Sequence, residues 1–138
     1  MSYVAAYVAS LGVMGVLDFA WLRTMVPIVY RPQLGALLAE KPVLWAAAAF
    51  YLLYPIGIVL FAVMPGLRAS SLSTALSLGA AFGLFAYMTY DLTNMATVRG
   101  WSVSVTAIDM LWGAVLTSAC AGAGYVVASW LGGRALYS

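Results

Sequence analysis

The sequence has no histidine and a single cysteine, Cys120, in 138 residues. Without imidazole there is no ordinary haem ligation and no histidine-based acid–base chemistry. One thiol makes neither an internal disulfide nor a CxxC redox pair or zinc site. Set in an apolar run, Cys120 reads as a small packing residue. Charge is also scarce: Asp, Glu, Lys and Arg make up 7% of the chain, against about 25% in a soluble domain. A water-facing surface cannot be assembled from so little charge, so the solvent is lipid. The net charge of +2, with no basic tract, argues against nucleic acid. No P-loop or GxGxxG fingerprint is present, and the residues leave any cofactor unspecified. The opening "MSYVAAYVAS" has no basic residue ahead of its apolar stretch and no isolated cleavage site, so a removable signal peptide is not expected.

What is there is oil, 65% of the residues. Four stretches, residues 3–22, 43–64, 72–98 and 102–131, are long enough to cross a bilayer, which takes about 20 residues. Backbone groups in hydrocarbon must be satisfied within their own segment, so these are helices. The sequence therefore predicts an all-α polytopic membrane protein: one domain over residues 1–138, with four transmembrane helices in an antiparallel bundle. "MPGLRASS" ends the second span at Pro65 and Gly66 and offers caps for the third. "VRGW" is a tight turn between the third and fourth, and "LGGR" stops the fourth. The connection 23–42 contains Pro27, Pro32, Glu40 and Lys41, and its "QLGALLA" reads as a short helix lying in the interface.

Arg23, Arg31, Lys41 and Arg99 fall on one side of the membrane and Arg68 and Arg134 on the other. Positive charge favours the cytoplasm, which leans both termini to the outside. Trp21, Trp45, Trp101 and Tyr137 suit an interfacial aromatic belt. "GAAFG", Gly79 to Gly83, permits close helix approach.

Three aspartates interrupt the spans: Asp18, Asp91 and Asp109. Each acid at the bilayer centre costs about 2.5–3.5 kcal/mol, some 9 kcal/mol for the set. Asp91 lies nine residues before Gly100 and Asp109 nine after it. In an antiparallel hairpin the two are level, each about 13 Å from the turn. Asp18 belongs to the same half of the bilayer, because the first span ends on that side.

Helical spacing recruits neighbours. Tyr87, Asp91 and Asn94 share a face of the third span, Asp109, Trp112 and Gly113 a face of the fourth, and Asp18, Trp21 and Leu22 a face of the first. "DFAW" and "DMLW" both read D-x-x-W. The second span brings Tyr51 and Tyr54 to the same half, and Pro55 frees the carbonyl of Tyr51. No Lys, Arg or His inside the spans neutralises the carboxyls. Burial favours the protonated form, which can donate a hydrogen bond to Asn94, Thr93 or a tyrosine; otherwise water, a cation or a positively charged ligand must reach the carboxyls. The alternative for the same residues is interhelical glue, worth about 0.6 kcal/mol per hydrogen bond.

"YDLTNMATVRGW" followed by "DMLWG", with "LDFAWL", "YRPQLGALLAE" and "FYLLYPIGIVLFAV", resembles a bacterial family of small predicted integral membrane proteins, domain of unknown function 2177. The resemblance covers nearly the whole chain and implies the bacterial inner membrane. It also implies that Asp18, Trp21, Tyr90, Asp91, Thr93, Asn94, Asp109 and Trp112 are characteristic positions, while bringing no established activity.

Three functions fit. One is a protein binding or transporting a proton, a cation or a small solute in an acidic, aromatic pocket, as a homodimer if anything crosses. The second is a membrane enzyme acting on a lipid or other apolar substrate, with Asp91 and Asp109 as acid and base and Asn94 orienting the substrate. The third is an auxiliary subunit of a larger membrane complex. Transport requires a polar path to both faces; an enzyme requires a pocket opening sideways to lipid, with two acids together; a subunit requires no cavity.

Overall fold

A computed structural model describes residues 2–137, with side chains for residues 2–132; the side chains of Arg134 and Tyr137 lie outside the described residues. The chain is an antiparallel bundle of four helices: α1 (Ser2–Leu37), α2 (Leu44–Arg68), α3 (Leu72–Thr97) and α4 (Val103–Tyr137). All four are long and apolar enough to cross a membrane. Large apolar side chains such as Val16, Phe19, Leu44, Leu53 and Leu111 point outward, the arrangement of a surface solvated by lipid.

α3 and α4 form the tightest pair. Gly100 takes a positive φ of 74° in the turn between them, a conformation natural only to glycine. Ser71 caps α3, its hydroxyl accepting from the Thr74 amide at 3.1 Å, and Ser102 caps α4, accepting from the Val105 amide at 3.1 Å. Where the helices cross, backbone meets backbone. A Cβ on Gly83 would fall 2.0 Å from the Gly113 carbonyl oxygen, and one on Gly79 would meet Ala121 at 2.8 Å. The Gly79–Gly83 pair is thus spent inside the chain, on α4.

α1 lies antiparallel along another face of α4. The Ser10 hydroxyl donates to the Cys120 carbonyl at 3.0 Å, and Gly124 admits Ser10 and Ala6. The fully buried core is built mainly from Ala6, Met14, Ile58, Ala62, Val63, Leu116, Cys120 and Ala121. Half of these are small, because helices in lipid gain most by close approach.

α1 does not stop at residue 22. It passes through a wide turn of π-helix at Val26–Tyr30 and continues to Leu37, so the first part of "QLGALLA" runs on from the first helix instead of forming a separate one. Pro27 breaks the ordinary hydrogen-bond ladder by lacking an amide proton, and the wider turn absorbs the break. Gly35, at φ 51°, ends the run, leaving only residues 38–43 as a non-helical connection. At about 1.5 Å per residue, a 36-residue helix extends roughly 54 Å, well past a hydrocarbon core of about 30 Å.

α2 carries a second π-turn at Val59–Val63, between Pro55 and Pro65, and also outlasts its expected stop. Pro65 lies in the last turn of α2, where the widened turn just before it absorbs the missing amide, and the helix ends at Arg68.

Candidate intramembrane site

The antiparallel register of α1 against α4 sets Asp18 beside Trp112 and Trp21 beside Asp109. The two D-x-x-W segments therefore serve each other. Trp112 donates its indole N–H to Asp18 at 3.2 Å, while Trp21 donates to the Tyr30 hydroxyl at 3.1 Å, and Tyr30 in turn donates to Asp109. Between the two acids the Trp21 and Trp112 rings lie stacked, 4.2 Å apart and 6° from parallel. Asp18, 8% exposed, receives a second donor in the Tyr51 hydroxyl from α2.

Asp91 has no such provision. Its side chain is completely buried, and among the described residues no donor reaches either carboxyl oxygen. Its polar neighbour is the carboxyl of Asp109, which also lies in the field of Asp18. Two carboxylates brought together in a low dielectric repel unless a proton or other positive charge comes between them. No group of three carboxyl or thiol ligands suited to a metal ion occurs among the described residues.

Asp109 also reaches a cavity of about 410 Å³ lined by Phe50, Tyr54, Ala86, Tyr87 and Tyr90. Phe50 and Tyr54 stack at 5.1 Å, and Tyr87 presents its edge to Tyr54 at 6.3 Å. The Tyr54 hydroxyl bonds Thr117 at 2.7 Å, which holds that ring in place. The cavity opens sideways between α2 and α3. The two helices approach closely through the Val59–Val63 turn and hardly at all through the first half of α2. Phe50 and Tyr90, 41% and 59% exposed, stand at the mouth.

The residues singled out from the sequence divide accordingly. Tyr51, Asp18 and Trp112 form one hydrogen-bonded set and Trp21 and Asp109 another through Tyr30, the two joined by the stacked indoles, with Asp91 beside Asp109 and Tyr54 and Tyr87 walling the cavity. Tyr90 sits at the rim, edge-on to Trp101 at 5.8 Å, with Asn94 beside its hydroxyl. Thr93 is not brought in. Two residues from Asp91 is about 200° around a helix, so it faces outward, and its hydroxyl donates to the Thr89 carbonyl of its own helix. Tyr30, Phe50 and Thr117 were not singled out. Tyr30 follows Pro27, where the sequence suggested a connection. Phe50 stands four residues before Tyr54, a spacing that was available to find it.

Residues 3–126 match the family described as "Predicted membrane protein (DUF2177)", and the chain belongs to that family, whose function is unknown. Neither a curated protein nor a solved structure matches the chain.

Proposed function

We propose that the protein binds a positively charged guest, whether proton, inorganic cation or cationic solute, at the Asp91–Asp109 pair in the bacterial inner membrane. The observation that carries this reading is the Asp91 carboxyl, wholly buried without a donor and placed against a second carboxyl. Asp18 is satisfied by Tyr51 and Trp112 and needs no guest. Asp91 is left to something the protein does not itself supply, at a depth where an acid is expensive. Asp109 joins that pair to the aromatic cavity, so a guest arriving there reaches the charge.

The other half of the bundle favours binding over passage through a single copy. Its polar groups are few, and Ser10 and Thr117 are committed to internal hydrogen bonds. Transport across the membrane would therefore use a second copy. The enzyme reading keeps one specific support: two acids side by side behind a mouth that opens towards lipid, the layout expected of an acid–base pair acting on an apolar substrate.

The test is a thermal-shift screen of cations against the purified protein in lipid nanodiscs, repeated with Asp91→Asn. A cationic guest should raise the wild-type melting temperature and leave the variant unmoved. Neutral analogues that stabilise both proteins equally would overturn the proposal. Chemical change in a co-purified lipid, lost in the same variant, would establish the enzyme instead.

A further inference from the structure

Resting on that reading, we infer that the guest is a lipophilic organic ammonium, a cationic head on an apolar tail, entering from the bilayer between α2 and α3. The walls decide the chemistry. Four of the six lining residues are aromatic, and the single charged group among them is Asp109. A hard inorganic cation needs about six oxygen ligands to replace its water, and this cavity does not present them. Ring faces attract a weakly hydrated ammonium within about 6 Å, most strongly where water is excluded.

Size and access agree. About 410 Å³ falls in the range that accommodates small organic ligands, roughly 300–1,000 Å³, and exceeds what a bare ion needs. The mouth between Phe50 and Tyr90 faces the region occupied by acyl chains, so a tail has somewhere to lie once the head has entered. Inside, the Tyr87 hydroxyl makes no hydrogen bond among the described residues. Behind Asp109 stands Asp91, whose polar neighbour is the Asp109 carboxyl itself. A cationic head at Asp109 relieves the repulsion between the two carboxyls, which a neutral molecule of the same shape cannot do. Three other grooves among the described residues lack these elements. Those along Gly12 and Gly15, beside Phe19 and Pro27, and between Tyr3 and Met64 are shallow and contain no acid.

The experiment titrates nanodisc-embedded protein with octyltrimethylammonium, octanol, sodium and potassium, following tryptophan fluorescence and melting temperature. Octyltrimethylammonium should bind saturably and octanol should not. Phe50→Leu and Tyr87→Leu should each weaken the ammonium about tenfold, the effect of losing roughly 1.4 kcal/mol of cation–ring attraction. The Phe50 variant, altered at a lipid-exposed rim, should melt as the wild type does. Octanol competing as well as the ammonium, or unchanged affinity in the Phe50 variant, would overturn the inference. Sodium or potassium binding that vanishes in Asp91→Asn, with no ammonium binding, would sink the substrate class and leave the charged-guest reading standing. No binding of any of these cations, together with a melting temperature whose pH dependence is unchanged in Asp91→Asn, would sink both.

Discussion

Asp18 and Asp91 are both buried carboxyls in transmembrane helices, yet their surroundings predict opposite responses to the same substitution. Asp18 accepts from a tyrosine hydroxyl and an indole N–H. Replacing it with Asn turns an amide donor towards one of these existing donors. Asp18→Asn should therefore destabilise the protein by about 1–3 kcal/mol. Asp91 accepts from nothing, so Asp91→Asn removes an unpaired buried acid and should hold or raise the melting temperature while abolishing guest binding. Circular dichroism melts of the two variants in detergent check both signs. A large loss of stability in Asp91→Asn would mean that its carboxyl is structural glue.

At this scale much was legible in advance. The level placement of Asp91 and Asp109 follows from counting outward from Gly100, and the repeated D-x-x-W follows from helical spacing. Which tryptophan serves which acid was not legible, because that depends on the register between α1 and α4. Thr93, named through the family resemblance and as an acceptor for a protonated acid, stands two steps from Asp91, which turns its side chain to the far face of the helix.

The elements that position the site are held by glycine contacts on one side and by an interrupted helix on the other. Gly83→Val would drive a side chain into the Gly113 carbonyl, separating α3 from α4 just below the acids. Overpacking of this kind costs about 1–3 kcal/mol or more and should lower both melting temperature and guest affinity. Gly12→Val is the matched control: nothing lies within 4 Å of its added Cβ, so its melting temperature should stay near that of the wild type. The same valine at two glycines, compared by thermal melts, separates packing from simple loss of glycine.

The four spans and the polar cap of α3 were readable from apolar length and punctuation. The length of α1 was not. Pro27 and Pro32 carry the signature of a helix end, and only the tertiary environment, in which Gln33 accepts from the Ser102 hydroxyl at 2.9 Å, selects a widened turn over a break. A first span ending at residue 22 leaves Tyr30 outside it, so the hydrogen bond Tyr30 donates to Asp109 was not legible.

For the whole molecule, the surplus of basic residues on the side of residues 38–43 and the Gly100 turn predicts that side to be cytoplasmic. Single cysteines at Glu40 and Ala69, both exposed and at opposite ends of α2, test this against a buried background thiol, Cys120. A membrane-impermeant maleimide applied to intact cells should label Ala69→Cys and spare Glu40→Cys until the membrane is opened. The reverse pattern would invert the protein and turn the acid cluster towards the outside.

The exchange of donors between α1 and α4 also bears on how the bundle is made. Asp18 and its Trp112 donor are 94 residues apart, which at ordinary rates of synthesis, 5–20 residues per second, is a wait of about 5–19 s. The first helix therefore enters the bilayer with an acid whose complement has not yet been translated, and only Tyr51 arrives early. Until the last helix emerges, the growing chain carries polar groups that any neighbouring membrane protein, or the insertion machinery itself, must shelter.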